Sequence, residues 1–111
     1  MQNIPFNGAR FKEVAGDCAV EFCNYLPRGK NGLRTWEIKA VDDDGSCKIV
    51  VLRDCGFNIA GEVIEITPFN NRAERNKLIV KLYHEKGLSQ VFLAEFFHIS
   101  QPAVSLIVSR K

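Results

Sequence analysis

Two periods run along the chain. Up to about residue 67 the hydrophobic positions come in short runs, often at every second residue. From about residue 70 they return every three or four. In the first part, Val20 to Tyr25, Thr35 to Val41, Cys47 to Arg53 and Glu62 to Thr67 are rich in β-branched and aromatic residues and are bounded by Gly, Asn, Asp or Pro. Four short strands are predicted. In the second run Trp36, Ile38 and Ala40 alternate with Glu37 and Lys39, the pattern of a strand with one buried and one solvated face. Asp42-Asp43-Asp44-Gly45 supplies a hairpin turn to the third run, and Asn58 opens a loop leading into a last strand at Gly61 to Ile66.

The second part carries three helix-start signals. Asn71 followed by Glu74 is an Asn form of the capping box, with Arg72 to Lys86 as the helix body and Gly87 as its stop. Leu78, Ile79, Leu82 and Tyr83 give that helix an apolar stripe. Ser89 and Ser100 are each placed to cap a further short helix by accepting an orphaned backbone N–H, and Pro102 falls in the first turn of the last one, where its missing N–H costs nothing. Leu93, Ala94 and Phe97 share a face of one helix, Val104 and Ile107 a face of the next, and Ile99 fills the corner between them.

Residues 88–107 resemble the bihelical unit of bacterial and phage helix-turn-helix regulators, with Ala94, the turn at His98, Ile99, Val104 and Ile107 where that family keeps its core. The family usually has Gly where this chain has His98, because that turn residue tends to a left-handed conformation. With the preceding helix, residues 70–111 resemble the three-helix DNA-binding domains of resolvases, invertases and homeodomain-like or Cro-like regulators. The resemblance covers about two fifths of the chain and implies a last helix lying in the major groove.

If Val104 and Ile107 point inward, Gln101, Pro102, Ser105, Ser109 and Arg110 point outward. Gln101 can pair with adenine, Ser105 can serve base or phosphate, Pro102 or Ala103 can meet a thymine methyl, and Arg110 and Lys111 can hold phosphates. Ser100, Ser89 and Gln90, at the two helix starts, complete the DNA-facing set. Leu106 projects partly outward, an unusual choice for a groove, and its plainer reading is a partly buried neighbour of the first of the three helices. The plainer reading of Gln101 and Ser105 is that of solvated polar residues on an exposed face.

The expected class is α+β. A small N-terminal antiparallel β unit over residues 1–67, barrel-like, open or closed, with an OB-like barrel one of the options, is followed by a three-helix helix-turn-helix unit over residues 68–111. Four or five strands in so short a stretch make a marginal core. Phe92 and Phe96, four apart, lie on a face that a three-helix core does not fully use. With Val91 and Val108 they leave apolar surface to be covered by the β unit or by a second copy. Helix-turn-helix proteins commonly bind two-fold sites, so a homodimer is expected, with Phe92 and Phe96 at the interface.

Charge sharpens this division. Before Pro68 there are ten acids and eight bases, a net of −2; from Pro68 on, seven bases and three acids give +4, which together make the +2 of the whole chain. A basic C-terminal unit suits phosphate. Only Arg110 and Lys111 lie beyond the first of the three helices, too few for tight binding by one copy. The loop from Leu26 to Arg34 holds Arg28, Lys30 and Arg34 beside Tyr25 and Trp36, a second place where nucleic acid could be met. The alternative function follows from it: a protein-interaction or single-strand-binding adaptor whose β unit does the main work.

Other chemistry finds little footing. Cys18 and Cys23, like Cys47 and Cys55, lack the CxxC knuckle of zinc sites, so free thiols are expected and no metal or cofactor. His84, on a solvated helix face, and His98 have no nearby nucleophile, and there is no phosphate-binding glycine loop, so no enzyme is expected. No apolar run approaches the roughly 20 residues of a membrane span, and the first residues lack the pattern of a signal peptide. A cytoplasmic protein with double-stranded DNA as partner is the expectation.

Overall fold

The structure is a computed structural model that describes residues 8–28, 32–66 and 68–109. It divides into two units, Met1–Ile66 and Thr67–Lys111. The class is α+β, as the two periods require.

The first unit begins with a helix that the sequence pattern did not predict, α1 (Gly8–Ala15). Eight residues give little more than two turns, too few for a period to stand out. Four strands follow, β1 (Ala19–Leu26), β2 (Arg34–Val41), β3 (Cys47–Asp54) and β4 (Ile59–Glu65). They form an antiparallel sheet in the order β1-β2-β3-β4. Of the open and closed forms expected, the closed barrel is not found: β1 and β4 are the two ends of an open meander, and no ladder joins them among the described residues. The turn after β2 is the expected one. Gly45 takes a φ of 85°, its N–H reaches the Asp42 carbonyl at 2.9 Å, and the Asp42 N–H reaches Ser46 at 2.9 Å.

Register places Ile38 opposite Val50 and Trp36 opposite Leu52 on one face of the sheet. There they meet Phe11, Ala15 and Cys18, with Val14, Ile59 and Val63 around them, in a continuous apolar cluster. The helix lies close to β4: a Cβ on Gly61 would come within 2.4 Å of Val14 Cγ2, so the strand needs glycine there. Arg10 strengthens the contact by donating from Nε to the Ile59 carbonyl at 2.6 Å.

The opposite face corrects the expectation of a solvated side. Ile49 and Val51 are buried on it, and so are Glu37 and Lys39. A buried charge needs a partner, and each has one. Asn24 donates from Nδ2 to Glu37 Oε1 at 3.0 Å, and Lys39 Nζ lies 2.5 Å from Glu21 Oε2. A bulge in β1 makes the second pairing possible: Val20 pairs with Ala40 and Phe22 with Lys39, which leaves Glu21 as the extra residue beside Lys39.

The second unit consists of α2 (Arg72–His84), α3 (Gln90–Phe97) and α4 (Gln101–Ser109). Each touches the other two. All three predicted caps are present: Asn71 Oδ1 accepts from Glu74 N–H at 2.9 Å, Ser89 Oγ from Phe92 N–H at 3.2 Å and Ser100 Oγ from Ala103 N–H at 3.2 Å. Glu74 answers Asn71 through the amide, with Asn71 Nδ2 donating to its carboxylate at 3.0 Å. Gly87, at φ 71°, turns the chain so that the Leu88 N–H bonds the Leu82 carbonyl at 3.2 Å and closes the end of α2. Ile79, Leu82, Leu88, Leu93 and Val104 are buried in this unit, as are Phe92, Phe96, Phe97 and Val108.

Candidate nucleic-acid interface

The geometry of the pair α3 and α4 is set at three residues. His98, Ile99 and Ser100 separate the two helices, whose axes turn by 112°. His98 takes the left-handed conformation, φ 58° and ψ 43°, the only non-glycine residue at positive φ among those described. Its N–H and that of Ile99 both return to the Ala94 carbonyl, the latter at 3.0 Å. A left-handed β-carbon residue costs about 1–2 kcal/mol, so the surrounding contacts must hold the turn in place. A short turn joining helices at about 90–120° is the geometry of a helix-turn-helix.

Val104 and Val108, one turn apart, are the buried residues of α4, and Ile107 is half-buried. Expectation had Ile107 inward and Val108 outward. The i, i+4 pair wins because α2 as well as α3 touches α4 and draws its C-terminal turn inward. His84 marks this contact: its Nε2 donates to the Val108 carbonyl at 3.0 Å, linking the end of α2 to the end of α4. No pattern within either helix could have announced that bond.

On the outer side, Ser100, Gln101, Pro102 and Ser109 are exposed, and Ala103 and Ser105 are half-buried. Leu106, expected to project partly outward, is 60% exposed in the middle of that side. Ser89 and Gln90, at the start of α3, are half-buried. Arg110 and Lys111 lie outside the described residues. On α2, Arg72, Lys77 and Lys81 are exposed, and Lys77 and Lys81 stand four apart on one face.

Phe92 and Phe96, the aromatic pair expected to need covering, are buried, 0% and 8% exposed. They belong to a run of ring contacts, Phe92 with Phe96 at 5.8 Å, Phe96 with Phe97 at 4.9 Å and Phe97 with Phe69 at 5.9 Å between centroids. Val91, at 49%, is the exposed apolar residue of α3.

In the basic loop of the first unit, one of the two described bases is held by a partner. Arg28 is exposed, Lys30 lies outside the described residues, and Arg34 is engaged in an ion pair with Asp54. The Arg34 guanidinium also sits 5.5 Å from the Trp36 ring centroid. Trp36 is itself buried, covered by Tyr25 at 5.3 Å, and offers no face for a base to stack on.

The four cysteines are free. Burial pushes the Cys23 thiol up to about 11, with the Glu37 carboxylate adding to the shift, and burial also raises Cys18, whose Sγ donates to Asp42 Oδ1 at 3.0 Å. Both thiols stay protonated at neutral pH, the opposite of what a nucleophile needs. Among the described residues no single helix is long and apolar enough to cross a membrane. Comparison with protein-family models, with curated proteins and with solved structures finds nothing that matches the chain.

Proposed function

We propose that the chain is a sequence-specific double-stranded DNA-binding protein, a transcriptional regulator of the bacterial or phage kind that works in the cytoplasm with α4 in the major groove. One observation carries this reading: two side-chain-capped helices meet at 112° across a three-residue turn held by a left-handed His98. The exposed Gln101 at the start of α4 supplies an amide able to pair with adenine, and Ser105 a hydroxyl for base or phosphate. Arg72, Lys77 and Lys81 supply charge for the backbone. So few cations favour binding as a homodimer on a two-fold site, through a surface other than the buried Phe92 and Phe96. Burial of Trp36 and the pairing of Arg34 count against the single-strand reading.

Selection from a random duplex library by the full chain, beside a single-stranded competitor and a sedimentation measurement, tests the proposal. A defined palindrome bound by two copies is expected. Gln101→Ala with Ser105→Ala should remove sequence preference at the positions those two side chains contact, a loss of about 1–3 kcal/mol for each good base contact. No duplex preference, or dependence on Arg28, Lys30 and Arg34 with Gln101 dispensable, would overturn it.

A further inference from the structure

The outer face of α4 has few hydrogen-bonding groups to spare. The Ser100 hydroxyl accepts the Ala103 N–H, and the Ser109 hydroxyl donates to the Ser105 carbonyl at 2.6 Å. Gln101 and Ser105 are the remaining polar side chains on that face of the described helix. The other outward positions are apolar: Pro102 is exposed, and one turn further on Leu106 is 60% exposed. Leu106 is not needed for the core, which takes Val104 and Val108 from this helix. A leucine held in water among polar neighbours leaves apolar area uncovered. The major groove offers an apolar group to cover it, the C5-methyl of a pyrimidine, which only thymine carries among the unmodified bases.

We propose that Leu106 reads a thymine methyl, so that α4 selects an A·T-rich half-site, with adenine taken by Gln101 and thymine methyls by Pro102 and Leu106. This rests on the DNA-binding reading and deepens it. Four helical residues rise about 6 Å. Set against about 3.4 Å per base step, the two methyl contacts fall about two base pairs apart when α4 follows the groove.

The test removes methyls from the DNA. Duplexes recovered from the random library by the full chain are rebuilt with each thymine replaced in turn by uracil, which lacks only the methyl. The unmodified chain should lose about fourfold in affinity at each of two steps in each half-site, the effect of one buried carbon. Leu106→Ala should bind thymine and uracil alike at one of those steps and keep its preference at the adenine read by Gln101. No loss on uracil substitution, or the same two losses in Leu106→Ala, overturns the inference and leaves the DNA-binding reading standing. Recovery of no duplex at all removes both. A lower sedimenting mass for Leu106→Ala would assign the leucine to a contact between copies and also overturn the inference. With a library synthesised on 5-methylcytosine, enrichment of that base over thymine at the Leu106 step would overturn the A·T assignment.

Discussion

The two units hold themselves together in different ways. The sheet unit depends on residues far apart in sequence: Arg34 pairs with Asp54 at one end of the β2 and β3 ladder and Val41 with Cys47 at the other, and α1 must return to β3 and β4 to close one face. The helical unit is specified within a few residues at a time, by Asn71 with Glu74, Ser89 with Phe92 and Ser100 with Ala103. Local capping fixes where helices start but not which side chains they bury. Long-range pairing fixes burial so strongly that even Glu37 and Lys39 are drawn in. The proposed reading head therefore sits on the locally specified part, where outward positions can change without disturbing a ladder.

The largest test removes core volume from each unit. Ile38→Ala and Leu93→Ala, both at fully buried positions, should each cost about 2–5 kcal/mol of unfolding free energy. Hydrogen exchange should localise the first loss to the strands and the second to the helices. Equal loss of protection everywhere would break the contrast.

A smaller effect is expected where α1 approaches β4. Gly61→Ala drives a Cβ toward Val14 Cγ2 and should cost about 1–3 kcal/mol by overpacking. Adding Val14→Ala should recover part of it, a coupling that a double-mutant cycle measures. Independent, additive losses would show that the close approach is not the cause.

At the turn of the helical unit the sign reverses. His98→Gly removes the left-handed penalty of about 1–2 kcal/mol and adds about 0.5–1 of chain entropy, for a net gain of about 0.5–1 kcal/mol in denaturant unfolding. Destabilisation would mean that the His98 side chain contributes more than its backbone costs.

The smallest effect is acid loss in the sheet unit. The Arg34 guanidinium and the Gly56 N–H hold Asp54 below the usual carboxylate range; Lys48, and then the Cys18 thiol, do the same for Asp42. These carboxylates bind protons more weakly folded than unfolded. Their contribution is therefore complete above about pH 3.9, the unfolded value, and disappears as pH falls through their lowered folded values. Strand circular dichroism should follow that loss, and Asp54→Asn should flatten it. The groups are exposed, so solvent screens most of the effect.

Much of the candidate interface was legible beforehand because capping and turn chemistry act over three or four residues. Ser89, Ser100, Asn71 and the left-handed position at His98 could each be read from neighbours. The four strands were legible from β-branched runs, with β4 beginning at Ile59 instead of after it. Leu106 was read as projecting partly outward, and it does; Val108 was misread because one helix period fits both Ile107 and Val108 as the inward partner of Val104. Only the neighbouring α2, tied in by His84, selects Val108 and leaves Leu106 outside.

The sequence by itself determined where most elements begin, α1 and the start of β4 excepted, because a cap, a glycine turn or an alternating run is a contest between a residue and its nearest backbone. The tertiary structure decided what each face does. It chose an open meander over a closed barrel, buried Glu37 and Lys39, buried Phe92 and Phe96 and left Leu106 in solvent. Burial is the property of a surface that distant segments share, and a periodic pattern states only that some face is apolar, not what comes to cover it.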